Sequence, residues 1–279
     1  MPRLFAVSDL HLSHPIWRSA LAGLPAVPDD RLILPGDVGD SPEQIAHGFR
    51  HLAAKFKRVI WASGKHELWS IPGTPVELRG AALYDHLVSV ARSYGIVTPE
   101  DPYPVFEHET GQLVLVPMFL LYDYSFRPKQ VSFDHVIAWA QARSCVCSDE
   151  ILLHPDPYPS RADWYRARVE TTLARLEPLD PHAETLLINH FPLEEEHAVL
   201  ALAPRFTPCG MARSSRGPGT KGFAPEPSSF GICIFMARAG STACLSRKCP
   251  SATPSQWDRK RPIGTSLLEV QLSPRQCDV

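Results

Sequence analysis

The chain has no run of about 18 apolar residues, so nothing in it reads as a bilayer span. It also lacks an excess of either charge: 28 Lys and Arg stand against 30 Asp and Glu, for a net charge of −2. That balance leaves no electrostatic footprint for long nucleic acid or for an anionic membrane. No basic start followed by an apolar core occurs in Met1-Pro2-Arg3-Leu4-Phe5-Ala6-Val7, which argues against a secretory signal and for a cytoplasmic chain. The seven cysteines are odd in number and irregular in spacing, suiting a reducing compartment better than a disulfide framework. Cys145 and Cys147 form a C-x-C pair with no second pair nearby, too little for a thiolate metal site. No histidine follows His197.

What is present suits a globular protein. In 279 residues, 44% are hydrophobic and 21% charged, enough for one sizeable domain and too apolar for wholesale disorder. Four short apolar runs each end at a polar, turn-forming cluster. Leu4–Val7 runs into Ser8-Asp9-Leu10-His11, and Leu32–Leu34 into Pro35-Gly36-Asp37-Val38-Gly39-Asp40. Val59–Ala62 runs into Ser63-Gly64-Lys65-His66-Glu67, and Leu186–Ile188 into Asn189-His190. Short continuous apolar runs bounded in this way suit strands buried on both faces. Between them lie helical patterns at Pro42–Phe56 (capped by Ser41), Leu78–Tyr94 and Arg161–Leu176 (opened by Ser160), so the fold class is α/β. Tyr103–His108 and Gln112–Pro117 read as a hairpin at a sheet edge.

In open α/β sheets ligands gather beyond the carboxyl ends of strands. Here each apolar run is followed within a few residues by a metal-capable side chain: Asp9 and His11, then Asp37, then His66, then His190. A mixed Asp/His set suits divalent Mn, Fe or Zn, and Asp37 is placed to bridge two such ions, the arrangement that clamps a phosphoryl group. Singly, each motif has a bland explanation as a turn, a cap or a core histidine. Their order and common placement after strands give the joint signal.

These blocks resemble the D-x-H, G-D-x-x-D, G-N-H-[DE] and later single-His motifs of calcineurin-like metallophosphoesterases, over about residues 3–210. Segments 120–127 and 153–159 are similar to an actinobacterial branch of that family. The resemblance implies a metallophosphatase sandwich of mixed β-sheets flanked by helices, with two divalent ions. It makes Asp9 and His11 ligands of one metal, Asp37 the bridge and His190 a ligand of the second. His66 contacts the phosphoryl oxygen or protonates the leaving alkoxide, with Asp40 or Glu67 as its orienting partner. The implied activity is hydrolysis of phosphate mono- or diesters by a metal-bridging hydroxide, on a phosphate-ester small molecule or nucleotide.

The sequence departs from the family pattern in two places. Lys65 stands where the family has a ligating Asn, and an ammonium offers only donors. The family's closing G-H-x-H is missing. Beyond about Met211 the texture turns to Ser, Gly, Pro and Arg. Reading the degenerate codons of Phe230–Met236 from the third base of the Phe codon permits an H-x-H, and the same frame yields family-like phrases on either side. The expectation is therefore a metallophosphoesterase domain at 1–210 followed by an aberrant, frame-shifted segment at 211–279, its last ~65 residues irregular. The alternative function is a catalytically impaired remnant that acts, if at all, as a binding protein.

Overall fold

A computed structural model describes residues 1–73, 77–109, 111–142 and 148–193, short strands at 206–207, 211–212, 233–238 and 241–244, and the stretch 267–270. The chain opens with β1 (Leu4–Ala6), α1 (Pro15–Ala22), β2 (Val27–Pro35), α2 (Pro42–Ala53) and β3 (Phe56–Ala62). The three strands are parallel, with Phe5 opposite Leu32 and Leu32 opposite Val59. Helix α2 starts where its signals lie, at Ser41, but stops at Ala53 rather than Phe56. Phe56 instead opens β3 and buries its ring in the core. Helix α1 was not anticipated; it begins after His14 with Pro15 in its first turn and buries only Trp17 and Leu21.

Next come α3 (Gly80–Ser93), the hairpin β4 (Val105–His108) and β5 (Gly111–Pro117), the short helices α4 (Val136–Gln141) and α5 (Asp149–Leu152), α6 (Arg161–Leu176) and β6 (Glu184–Asn189). Helix α6 has the bounds its periodicity and Ser160 cap predict. Short strands complete the order: β7 (Phe206–Thr207), β8 (Met211–Ala212), β9 (Cys233–Arg238), β10 (Ser241–Cys244) and β11 (Leu268–Glu269).

One sheet runs β11-β1-β2-β3 and a second runs β10-β9-β6-β5-β4; β7 and β8 pair with each other. A shared apolar layer joins the two sheets face to face. Leu4, Ala6, Ile33, Ile60 and Ala62 come from the first, and Phe106, Leu113, Leu115, Leu186 and Ile188 from the second. The outer face of the first sheet packs Leu32, Leu34, Val59 and Trp61 on residues of α2 and α3 such as Phe49, Leu52, Leu83 and Leu87. On the outer face of the second, Val114, Val116 and Leu187 meet Tyr165, Val169 and Leu176 of α6. The architecture is thus mixed α/β, two sheets flanked by helices.

Within the span expected to be irregular, β9 pairs antiparallel with β6 and β11 with β1. Unpaired N–H and C=O groups along a strand edge are satisfied by any extended chain, whatever its side chains, so backbone pairing there does not need a family-like sequence. Most of 211–279, the segment read as frame-shifted, lies outside the described residues, as do Cys145 and Cys147. Among the described residues no helix is long and apolar enough to cross a membrane.

Candidate metal centre

The loops that follow β1, β2, β3 and β6 meet at one end of the sheets. The β1 loop is laced to the β2 loop by Asp9 N to Gly36 O (3.1 Å), His11 N to Asp37 O (3.0 Å) and Leu12 N to Val38 O (2.9 Å). Gly36, at φ +75°, lets the β2 and β3 loops touch backbone to backbone; a Cβ there would lie 2.2 Å from Gly64 N. The Glu67 carboxylate locks that contact by accepting from Asp37 N, Val38 N and Gly64 N at 2.9, 3.1 and 3.1 Å. Asp9, His11 and Asp37 hold left-handed backbones, with φ of 55°, 41° and 54°. Non-glycine residues in that region are strained by about 1–3 kcal/mol each, and such strain clusters at functional sites.

Every residue singled out as an Asp/His ligand, a catalytic group or its partner comes to this place. Asp9, His11, Asp37, Lys65, His66, Glu67 and His190 are buried, and Asp40 lies at the rim. His66 Nε2 and His190 Nε2 stand 3.8 and 3.5 Å from Asp37 Oδ2, and His11 Nε2 stands 3.8 Å from Asp9 Oδ1. Asp37 Oδ1 accepts from His66 N at 3.0 Å. Of the two suggested orienting partners, Asp40 is the one at the His66 ring, with Oδ1 2.8 Å from Nδ1; Glu67 is committed to the backbone donors above. His190 Nδ1 lies 3.0 Å from Pro35 O, which makes it the protonated nitrogen and turns the lone pair of Nε2 toward Asp37. Beside it, Asn189 ties the β6 loop to the chain after β5 through Leu120 N and O and Phe191 O.

The electrostatics are those of a cation site. Burial pushes the Asp9 carboxyl well above its ordinary range, and the charge of Asp37 adds to that. Burial acts on Asp37 in the same sense, but His190, His66, Lys65 and His11 outweigh it and hold that carboxyl low. Burial takes His11 down to about 4 and also lowers His190, leaving both rings in the neutral form that ligates metal. Burial alone would lower His66 too, but Asp37 and the bond to Asp40 carry it upward.

The donor set fits a divalent ion. Asp9 Oδ1, Asp37 Oδ2 and His66 Nε2 are buried with no hydrogen-bond partner among the described residues, an arrangement that costs free energy unless something binds them. Donor atoms of His11, Asp37 and His66 lie within 4.8 Å of one another. That trio includes the histidine assigned to the phosphoryl group in place of Asp9 or His190. Lys65 fits less well: it is 1% exposed, and its charge acts on Asp9, His11, Asp37, His66 and His190. Sequence reasoning missed Trp69, whose ring lies 3.7 Å from that of His66, and its partner Asp149. Trp69 sits two residues past the Gly64–Glu67 motif, which was its only signal; Asp149 had none.

Fold and site together define a two-sheet α/β protein with a buried Asp/His centre at its strand ends. No family model matches the chain. It is 42% identical over 220 residues to the acyl-carrier-protein phosphodiesterase PptH of Mycobacterium tuberculosis, covering 77% of this chain and 67% of that protein. The crystal structure of the phosphopantetheinyl hydrolase PptH from the same organism superposes with a TM-score of 0.80 at 35% identity, over 98% of this chain and 97% of that one. The chain belongs to the PptH phosphodiesterase family.

Proposed function

We infer that this protein is a divalent-metal-dependent phosphodiesterase of calcineurin-like architecture. Its substrate is the phosphodiester that joins a phosphopantetheinyl group to a carrier protein. One observation carries the reading: side chains from three other strand ends, on two different sheets, converge on Asp37. The relative's activity on acyl carrier protein sharpens the expected small molecule or nucleotide to a protein-borne ester. Residues 1–210 carry the catalytic side chains, and 211–279, read from the sequence as aberrant and frame-shifted, lends strands β9, β10 and β11 to the two sheets.

Asp9 and His11 would hold one ion and His190 a second, with Asp37 serving as a ligand of both, the ions being Mn, Fe or Zn. Bound divalent ions supply charge for the phosphoryl oxygens and acidify the attacking water. His66, protonated on Nε2 and held at Nδ1 by Asp40, donates to the phosphoryl oxygen or to the leaving alkoxide. The test is incubation with a phosphopantetheine-loaded carrier protein and Mn²⁺, following release of phosphopantetheine by mass spectrometry. Release that EDTA stops is expected. A folded sample that releases none with Mn²⁺, Fe²⁺ or Zn²⁺ overturns the proposal.

Lys65 favours a second reading, an impaired homologue that binds carrier protein without cleaving it. Metal content per chain separates the two: about two ions for the enzyme, none for the remnant.

A further inference from the structure

His66 is held at its edge and on its face, with the His11 ring packed edge-on 4.5 Å away. At its edge Nδ1 meets Asp40 at 2.8 Å. On its face lies the indole of Trp69, with ring centroids 3.7 Å apart and planes tilted by 37°. A single hydrogen bond at Nδ1 leaves an imidazole able to rotate about that contact; a ring packed on its face removes the rotation.

Trp69 is in turn held from 80 residues away. Its Nε1 donates to Asp149 Oδ1 at 2.7 Å, and the Tyr122 hydroxyl donates to the other oxygen at 3.3 Å. Tyr122 packs edge-on against Phe191 at 5.3 Å, and Phe191 edge-on against His190 at 5.0 Å. One carboxylate, 2% exposed, thus reaches both histidines that face Asp37 through aromatic side chains. Its own place is firm. Arg161 Nη1 donates to the carbonyls of Asp149 and Leu153 at 3.1 and 3.0 Å, and the guanidinium pairs with Glu150. The strand-like contact of Trp69 with Leu153 and the bond from Ser70 N to Leu152 O (2.9 Å) tie the two segments together. A buried carboxylate is costly to desolvate, and a main-chain carbonyl would satisfy an indole N–H equally well. What Asp149 adds over a carbonyl is a second side-chain oxygen, which takes the Tyr122 hydroxyl while the first holds the indole in place.

We propose that Asp149 is a positioning residue, acting through Trp69 to fix the plane of the His66 ring against the phosphoryl group. The proposal rests on the phosphoesterase reading. Geometry, rather than ion binding, is what Asp149 controls, so kcat should respond and metal content should not.

The experiment compares Asp149→Asn, Asp149→Leu and Trp69→Leu in the full chain. The readouts are kcat and KM on bis(p-nitrophenyl) phosphate with Mn²⁺, metal content, and the NMR shifts of the His66 ring protons, which lie in the indole ring current. Asp149→Leu and Trp69→Leu should each lower kcat about 10–100-fold with little change in KM. Both should also move the His66 resonances toward those of an unstacked histidine. Asp149→Asn, whose amide oxygen still accepts from Nε1, should stay close to wild type in both readouts. The double variant should be no slower than Trp69→Leu alone, because the two act in series. A wild-type kcat in Asp149→Leu, multiplying losses in the double variant, or unmoved His66 resonances overturn the inference and leave the phosphoesterase reading standing. An inactive wild type whose His66 resonances still respond to Asp149→Leu sinks the phosphoesterase reading and upholds the mechanical link. If Asp149→Leu fails to fold, Trp69→Leu carries the test, and an unchanged kcat there overturns the proposal.

Discussion

Asp37 receives the main chain of His66 on one oxygen and faces the rings of His66 and His190 with the other. Asp37→Asn keeps the first contact and removes the charge. Bound metal should fall to near zero, measured by inductively coupled plasma mass spectrometry, with circular dichroism unchanged. Lys65 makes the opposite case. Its ammonium offers no lone pair, so Lys65→Asn, which adds an amide oxygen and removes a buried positive charge, should raise the metal bound per chain. Equal content in the two proteins would show that Lys65 does not limit loading. Asp9 tests the strain. With φ at 55°, Asp9→Gly should be more stable than Asp9→Ala by about 1 kcal/mol, since only glycine takes that backbone freely. Urea unfolding of the metal-free proteins reads the difference, and both variants lose a ligand, so metal binding does not confuse it.

At the scale of elements, the site depends on how loops are pinned to the helices and strands behind them. Ser41 caps α2 by accepting from Gln44 N, while Gln44 Oε1 accepts from Asp40 N at 2.9 Å. The Gln44 bond to the residue just before the cap sets the position of Asp40, which holds His66. Ser41→Ala should cost about 1 kcal/mol. Glu67 is a stronger tie, since its loss strands three buried backbone donors; Glu67→Ala should cost about 2–5 kcal/mol in chemical denaturation. Elements of this kind were legible to different degrees. The strand-end blocks could be read because each packs an apolar run, a turn and a ligand into about ten consecutive residues. The cap of α2 and the full extent of α6 could be read because Ser41 and Ser160 lie next to the periodic stretch they open. Helix α1 could not: eight residues that bury only Trp17 and Leu21 leave too short an apolar stripe to show a period. Asp149 was also out of reach, because its partners are 80 and 27 residues away and it opens a four-residue helix too short to show a pattern. The same holds for the choice of Asp40 over Glu67 at the His66 ring. Both were visible as candidates, and only the folded loops decide which carboxylate faces the imidazole.

On the scale of the whole molecule, metal and protons compete for one buried cluster, and global stability reports the competition. An ion that binds only the folded state stabilises it by about 2.7 kcal/mol when present at 100 times its dissociation constant. For a chain of this size that corresponds to a rise in melting temperature of roughly 5–10 °C. Mn²⁺ should produce such a shift in wild type and none in Asp37→Asn. Its pH dependence has a definite sign. Without metal, buried groups shifted in opposite directions oppose each other, Glu67 and His11 among them. Glu67 is pushed up to about 7 by burial and by Asp37, so the folded state holds its proton more tightly than the unfolded chain. That contribution is present at low pH and fades as pH rises from about 4.5 to 7. His11, lowered to about 4 by burial, does the reverse: it contributes stability above about 6.5 that is lost as pH falls toward 4. Asp9 and His66 act in the same sense as Glu67, and Asp37 and His190 in the same sense as His11, so the metal-free curve mixes opposed contributions and the difference made by metal is the informative quantity. Binding needs Asp9 ionised, and Asp9 is raised well above the usual carboxylate range by burial and by Asp37. His11 stays neutral down to about 4, so Asp9 loses the competition with protons first. The Mn²⁺-induced shift should shrink steadily as pH is lowered from 8 to 5 in scanning fluorimetry. A shift independent of pH over that range would remove Asp9 from the ligand set, and would equally exclude His66, whose raised pKa makes any ligation by its ring pH-dependent.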